Sequence, residues 1–307
     1  MPSPEHEAVV AMMDGGLGLE ELPIDEQRVM MESSAELFAP GPDVACSEVE
    51  VGGILADWVS TSGSGPDRAI LYLHGGAYVM GSRHTHRGLA GRIAHAADAR
   101  VLLPEYRLAP EHPFPAAVQD ARACWRWMLS QGLHPAQMAI AGDSAGGGLA
   151  LATLLALKEA GDPLPGCAVA LSPWTDLQGT GHTAVPGIVD DPMLTRRGLR
   201  DSAALYAGDQ VTHPLASPLL GELAGLPPML LQVGSREILL ADSTRFAERA
   251  HAAGVPVTLE VEEGLIHVWQ MFPHLPESAA AVARIGAFIT QHCPGGPSVC
   301  NIGPLPE

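Results

Sequence analysis

The chain has 307 residues, 47% of them hydrophobic, which is enough for the core of one large α/β domain with a small accessory part. Its formal net charge of −18 argues against nucleic acids and anionic membrane surfaces as partners. The first residues are acidic and show no signal-peptide pattern, and the longest apolar run, 149–157, is too short to cross a bilayer. We therefore expect a cytoplasmic protein.

Stretches of β-like and helical character alternate along the chain, which is typical of a doubly wound α/β fold. The predicted strands cover residues 48–51, 55–60, 69–74, 100–103, 137–141, 167–171, 229–233 and 257–261. The predicted helices cover residues 86–97, 116–131, 145–160, 242–253 and 277–292. This order predicts a mostly parallel eight-stranded sheet with helices on both faces.

Two regions do not fit this alternation, and both are interpreted as cap elements. Residues 1–44 carry apolar side chains, Phe38 among them, without a strand to pair with, and residues 178–218 separate the sixth and seventh strands with Gly, Pro, Asp and a short helix. The predicted domains are therefore an N-terminal cap segment (1–44), core (45–177), cap insertion (178–218), core (219–293) and a loose C-terminal tail (294–307).

The sequence G-D-S-A-G at 142–146 lies between a predicted buried strand and a predicted helix. This is the pattern of a nucleophile elbow, whose tight turn needs glycine on both sides of the serine. It would hold Ser144 above the sheet edge, with the Ala145 N–H and the helix dipole facing a developing oxyanion. Ser144 is therefore the candidate nucleophile.

A second glycine motif, H-G-G-A-Y at 74–78, follows the third predicted strand. It is a variant of the H-G-G-G loop that supplies oxyanion donors in esterases. Gly75 and Gly76 can turn their N–H groups inward, and Ala77 can still donate its own N–H. The predicted oxyanion hole is therefore Gly75, Gly76 and Ala145.

Taken together, four motifs closely resemble the hormone-sensitive-lipase family of esterases. They are the two above, P-E-Y-R-L-A-P-E-H-P-F-P-A-A at 104–117 and L-S-P-W-T-D-L at 171–177. The likeness runs from about residue 45 to 292 with the motifs in order. It implies an α/β-hydrolase fold with a helical cap and a Ser–His–acid triad, with no metal and no organic cofactor.

The serine needs a histidine to accept its proton, because a hydroxyl is almost un-ionised at neutral pH. His267 follows the last predicted strand, in the loop E-E-G-L-I-H-V-W, where the family has a similar G-x-x-H. His84 and His86 share an H-x-H spacing but have no third ligand, so they are interpreted as polar groups near a helix start.

The acid should follow the seventh strand, where the loop reads G-S-R-E-I-L-L-A-D-S. Glu237 occupies the position at which the family usually has aspartate, about 30 residues before His267. Asp242 is the alternative acid, although it resembles the N-cap of the next helix. The order Ser, Asp/Glu, His permits either acid, and Glu237 is the preferred assignment.

Other motif residues are interpreted as supporting or pocket groups. Arg107 and Asp120 are expected to form an ion pair, and Asp143 is expected to anchor neighbouring loops. The five cysteines (46, 124, 167, 293 and 300) show no C-x-x-C spacing and indicate reduced thiols, with Cys124 and Cys167 in the core. The candidate substrate-pocket residues are Ala77, Tyr78, Asp143, Trp174 and Phe38.

These features predict a serine carboxylesterase for short-chain esters, with a small-molecule ester as its partner. A lactonase is the alternative within the hydrolases, since the pattern also resembles monoterpene lactone hydrolases and a lactone is a cyclic ester. A receptor like the plant gibberellin receptors is disfavoured, because those lack the histidine that is present here as His267. An exposed eighth strand makes a homodimer through that edge a further prediction.

Overall fold

The computed structural model describes residues 2–13 and 21–295. The sheet strands are β1 Val44–Val51, β2 Ile54–Thr61, β3 Ala69–Leu73, β4 Arg100–Pro104, β5 Met138–Asp143, β6 Cys167–Leu171, β7 Met229–Gly234 and β8 Val257–Glu262. The α-helices of this part of the chain are α1 Pro4–Met13, α2 Ile24–Ser33, α3 Arg83–Ala96, α4 Ala116–Ser130, α5 Ala145–Ala160, α6 Arg196–Ala207, α7 Leu240–Ala252 and α8 Pro276–His292.

The eight strands form one sheet in the order β1-β2-β4-β3-β5-β6-β7-β8. Only β2 runs against its neighbours, and β4, β3, β5, β6, β7 and β8 are mutually parallel. The prediction of a mostly parallel eight-stranded sheet is therefore confirmed. The first strand begins at Val44, four residues before its predicted start, because the edge pairing with β2 continues through residues that show no apolar run.

The helices cover both faces of this sheet. One apolar core lies between the sheet and α3 and α8, and includes Leu89, Ile93 and Ile285. The other lies beneath α4, α5 and α7, and includes Trp125 and Phe246. Because both faces are buried, the central strands read as continuous apolar runs, which is why the sequence revealed them so clearly.

Helix α3 begins three residues before its predicted start. Ser82 is its N-cap, because the Ser82 hydroxyl accepts from the His84 and Thr85 N–H groups. In the reverse direction, the Thr85 hydroxyl oxygen accepts from the Ser82 N–H. The residue three positions after this N-cap is threonine rather than the glutamate that usually marks a capping box, so the start of the helix was difficult to predict from the sequence. His84 and His86 thus lie in the first turn of α3, as expected.

Two segments lie outside the sheet and its two helical layers. The first contains α1 and α2, where Arg28 of α2 donates to the carbonyls of Val79 and Ala109 and pairs with Glu111. The second, between β6 and β7, contains α6, a helix of 12 residues. Within the described residues no helix is long and apolar enough to cross a membrane. Most of the predicted tail, from residue 296 onward and including position 300, lies outside the described residues.

Candidate active site

Ser144 is the first residue after β5 and the N-cap of α5. Its backbone has φ 54° and ψ −122°, a strained conformation for a residue with a side chain. Glycine is needed at 142 and 146, since a Cβ at either position would collide with the crossing main chain of Leu73. The serine is held in place by its own N–H, which donates to the Leu171 carbonyl at 2.8 Å. The side chain is half-buried at the carboxyl edge of the sheet.

His267 lies in the loop that follows β8, 123 residues after Ser144 in sequence. Its Nε2 atom lies 2.9 Å from the Ser144 Oγ. The other ring nitrogen, Nδ1, lies 2.8 Å from Oε2 of Glu237. A proton on Nδ1 that points to the carboxylate leaves Nε2 free to accept from the serine hydroxyl. The structure therefore brings the predicted nucleophile, base and acid together in the expected order.

Glu237 is fully buried in the loop between β7 and α7. Its second oxygen, Oε1, accepts from the Ser172 hydroxyl at 2.7 Å and from the Gly234 N–H at 2.5 Å. Ser172 Oγ in turn accepts from the Val268 N–H at 3.2 Å. Oε1 is thus fully engaged, and Oε2 is directed at His267. Sequence reasoning missed Ser172, although it is the serine of the L-S-P-W motif.

The electrostatics around His267 favour its charged form. Burial acts to lower the pKa of this histidine, but the hydrogen bond and charge of Glu237, together with the charges of Asp191 and Asp143, outweigh it, so the pKa is raised. A base of this kind holds an abstracted proton more readily than a free imidazole does.

The interpretation of Asp242 as a helix N-cap is wrong. Helix α7 begins at Leu240, so Asp242 lies inside its first turn, and its Oδ2 accepts from the N–H groups of Thr175 and Asp176. Burial raises the pKa of Asp242 to about 7. This carboxylate fixes the segment after β6, and His267 is bonded to Glu237 instead.

The prediction that the Gly75 amide lines the oxyanion hole is contradicted. The Gly75 N–H donates to Oδ1 of Asp143 at 3.1 Å, because the glycine is packed directly against that carboxylate. The N–H groups of Gly76, Ala77 and Ala145 have no hydrogen-bond acceptor among the described residues. Ala77 has φ 54°, and this positive φ continues a tight turn that begins at Gly76.

Asp143, a candidate pocket residue, is 3% exposed and lies behind the loop of Gly75. Its carboxylate accepts from the Tyr72 hydroxyl at 2.8 Å and lies 3.3 Å from Nε2 of His86. Burial alone would raise the pKa of Asp143, but His86 and Tyr72 hold it below its usual value. Asp143 thus connects β3, α3 and the loop of residues 74–78, which we call the glycine loop. This contact pattern agrees with the expectation that Asp143 anchors neighbouring loops.

The other candidate pocket residues make core contacts. Tyr78 is 1% exposed and stacks on Tyr206 of α6, with ring centroids 3.8 Å apart. Trp174 is also buried, with its ring centroid 6.2 Å from that of Tyr78. Phe38 packs edge-to-face against Phe272, with ring centroids 5.5 Å apart. The aromatic stack therefore connects the glycine loop to α6.

The segment 104–117 supports the glycine loop from behind. The Tyr106 hydroxyl donates to the His74 carbonyl at 2.7 Å. The predicted pair of Arg107 and Asp120 is confirmed, with the two side chains 2.7 Å apart. Cys124 and Cys167 are buried in the core, as predicted.

Comparisons with known proteins agree with this geometry. Residues 70–271 match the model of a family described as alpha/beta hydrolase fold. An acetyl-hydrolase from Streptomyces hygroscopicus is 42% identical over 295 residues, which cover 94% of this chain and 97% of that protein.

Solved structures are equally similar. The crystal structure of EstE5 soaked with p-nitrophenyl butyrate has a TM-score of 0.89 at 42% identity, covering 95% of this chain and 99% of that one. An esterase from the bacterial hormone-sensitive lipase family has a TM-score of 0.90 at 43% identity, with the same coverage. The similarity therefore extends over nearly the whole chain.

Proposed function

Because the chain belongs to the α/β-hydrolase family, among the bacterial esterases related to hormone-sensitive lipase, we propose that Ser144, His267 and Glu237 are the catalytic triad of this carboxylic ester hydrolase. The observation that carries the proposal is the continuous chain of contacts from the Ser144 Oγ through the His267 ring to Glu237, at 2.9 and 2.8 Å.

The reaction begins with attack of the Ser144 Oγ on the ester carbonyl carbon, while Nε2 of His267 takes the hydroxyl proton. The tetrahedral intermediate collapses, the C–O bond to the alcohol breaks, and His267 returns the proton to the leaving oxygen. Water then attacks the acyl-enzyme with His267 again as base, which releases the acid. Glu237 stabilises the imidazolium that forms in both halves.

We propose the N–H groups of Gly76, Ala77 and Ala145 as the oxyanion hole, in place of the set that included Gly75. The first two lie in the turn after β3, and Ala145 is the first residue of α5, whose N–H has no intrahelical acceptor. The N-terminal end of α5 adds a favourable dipole at the same point. Gly75 takes a supporting role, since its amide is bonded to Asp143.

Short-chain esters are the proposed substrates. Two relatives support this range: one is named an acetyl-hydrolase, and another was soaked with p-nitrophenyl butyrate. The segments 1–44 and 178–218 are the proposed cap, because their helices α1, α2 and α6 lie outside the sheet and its two helical layers. Each segment also contacts the loops of the site, the first through Arg28 and the second through Tyr206. A cytoplasmic location and a dimer through β8, an edge strand, complete the proposal.

The test is a panel of p-nitrophenyl esters, from acetate and butyrate to octanoate and dodecanoate, together with several lactones. We expect the highest kcat/KM with acetate or butyrate, and loss of turnover in Ser144→Ala. A preference for dodecanoate would overturn the short-chain assignment. A preference for lactones would identify a lactonase that uses the same triad.

A further inference from the structure

The loop that carries Glu237 is held from outside by the insertion between β6 and β7. We call residues 235–239 the acid loop and residues 183–191 of the insertion the clasp segment. The two are separated by about 50 residues in sequence but share several hydrogen bonds, which involve residues on both sides of Glu237. The position of the acid thus depends on a segment outside the sheet.

Two contacts of the clasp segment bracket the acid loop. The buried Thr183 donates its hydroxyl to the Ile238 carbonyl at 2.6 Å and accepts from the Ala241 N–H at 3.0 Å. On the other side of Glu237, Arg236 pairs with Asp190 at 2.8 Å. The Asp190 side chain is 93% exposed, so this pair is worth little by itself.

Asp191 makes the central contact. Its Oδ2 accepts from the Ile238 N–H at 2.9 Å, directly after Glu237 in the chain. Its Oδ1 accepts from the N–H groups of Met193 and Leu194 at 2.9 and 3.0 Å. One half-buried carboxylate therefore fixes a turn of the insertion and the backbone beside the acid at the same time.

The charge of Asp191 also acts on the catalytic histidine. The carboxylates that raise the pKa of His267 are Glu237, Asp191 and Asp143, in that order, against the opposing effect of burial. Glu237 is in direct contact with the ring, whereas Asp191 acts through space. Removing the Asp191 charge should therefore make the imidazolium easier to deprotonate.

We infer that Asp191 is a positioning residue of the ester hydrolase: its carboxylate orients the acid loop, and so the contact between Glu237 and His267, from the cap insertion. The inference rests on the proposed triad. If Asp191 has this role, the site is active only when the insertion is packed against the acid loop, because the hydrogen bond from the Ile238 N–H to Asp191 requires that contact. No sequence motif points to this role, since Asp191 and Ile238 are 47 residues apart in the chain.

The test is Asp191→Asn, with Asp201→Asn as the matched control. Asp201 lies on α6 of the same insertion and, within the described part of the chain, pairs only with exposed arginines, so its change removes the same charge elsewhere. We expect kcat for p-nitrophenyl butyrate to fall roughly 10- to 100-fold in Asp191→Asn, since small misplacements of catalytic groups have effects of this size. KM should change little, because the change acts on the acid rather than on substrate binding.

The pH profile separates positioning from a merely structural effect. In Asp191→Asn the acid limb of kcat/KM should move to lower pH, as His267 loses a stabilising negative charge. Asp191→Glu retains the negative charge, so the acid limb of its kcat/KM profile should stay at the wild-type pH. Its kcat should lie between that of Asp191→Asn and that of the wild type, because the longer side chain changes the contact with Ile238. An NMR titration of His267 in the Ser144→Ala background gives the same shift without turnover.

Wild-type kcat with an unmoved acid limb in Asp191→Asn would overturn the inference, as would an equal response in Asp201→Asn. If the asparagine variant does not fold, Asp191→Glu decides: full wild-type kcat in that variant would show that the geometry at Ile238 is unimportant. Absence of esterase activity in the wild type would instead contradict the proposed function, and the NMR titration would still report on Asp191.

Discussion

Ser172 donates its hydroxyl hydrogen to Oε1 of Glu237 at 2.7 Å, and no other side chain among the described residues bonds that oxygen. The same hydroxyl accepts from the N–H of Val268, the residue after His267. One serine therefore sets the orientation of the acid relative to the loop that carries the base. Ser172 itself has φ 46°, which shows how tightly this position is held.

We predict that Ser172→Ala lowers kcat by roughly 10-fold, because the glutamate keeps the Gly234 N–H but loses its side-chain donor. KM for p-nitrophenyl butyrate should be unchanged. Steady-state kinetics with a melting curve as a control for folding measure both effects. Equal kcat in the variant and the wild type would show that Gly234 alone orients the acid.

Ser144→Ala should reduce turnover by on the order of 10⁶, since triad members act as a unit. Labelling by a fluorophosphonate should disappear, while the melting temperature stays the same or rises as the alanine removes a polar group. Residual labelling in this variant would mean that the probe reacts at another nucleophile, and mass spectrometry of the labelled peptide would identify it.

Glu237→Ala should lower kcat by about 10⁴, on the precedent of other triads in which the acid is removed. Asp242→Asn should keep nearly wild-type kcat, because the asparagine oxygen can still accept from the Thr175 and Asp176 N–H groups. Kinetics of the two variants at one pH compare the two candidate acids directly. Loss of turnover in Asp242→Asn alone would reverse their assignment.

Asp242 should also make stability depend on pH. Burial raises its pKa to about 7 in the folded chain, against a usual 3.8, and the two backbone amides only partly oppose this. The folded state therefore binds more protons than the unfolded state between these values, and stability falls as pH rises from about 4 to about 7. Urea unfolding of the wild type and Asp242→Asn across this range should show the slope reduced in the variant.

Ala77→Gly should retain activity and match or exceed wild-type stability. Ala77 has φ 54°, where a side chain costs roughly 1 kcal/mol or more, and glycine removes this strain without removing the N–H. Ala77→Val should lose both activity and stability, since a β-branched residue fits this backbone poorly. Thermal unfolding and p-nitrophenyl butyrate kinetics test the pair, and a more stable valine variant would contradict the strain argument.

The activity profile should reflect the raised pKa of His267. The base must be neutral to accept the Ser144 proton, so kcat/KM falls as pH drops through the pKa of this histidine. Because Glu237, Asp191 and Asp143 together raise that pKa above its ordinary 6.5 against the effect of burial, the half-maximal point of the acid limb should lie above 6.5. A limb centred below that value would indicate that burial outweighs the acid.

The sequence predicted most of the sheet and pointed to the three residues of the proposed triad, because buried parallel strands are continuous apolar runs and the elbow has a fixed spacing. The errors came from contacts between residues distant in the chain. The Gly75 amide could be removed from the oxyanion hole only by seeing Asp143 beside it. Asp242 was misassigned because its partner, the segment at Thr175, lies 67 residues away.

The edge position of β8 has a consequence for heat inactivation. Among the strands of the described structure, β8 pairs only with β7, its residues are partly exposed, and the loop that carries His267 begins where it ends. Edge segments open at lower free energy than the centre of a sheet, so fraying of β8 would move the base away while the rest of the chain stays folded. Activity should then be lost on warming before the main unfolding transition, with amide exchange rising first along Val257–Glu262. The temperature at which catalysis stops would thus report the opening of one strand rather than the melting of the whole protein.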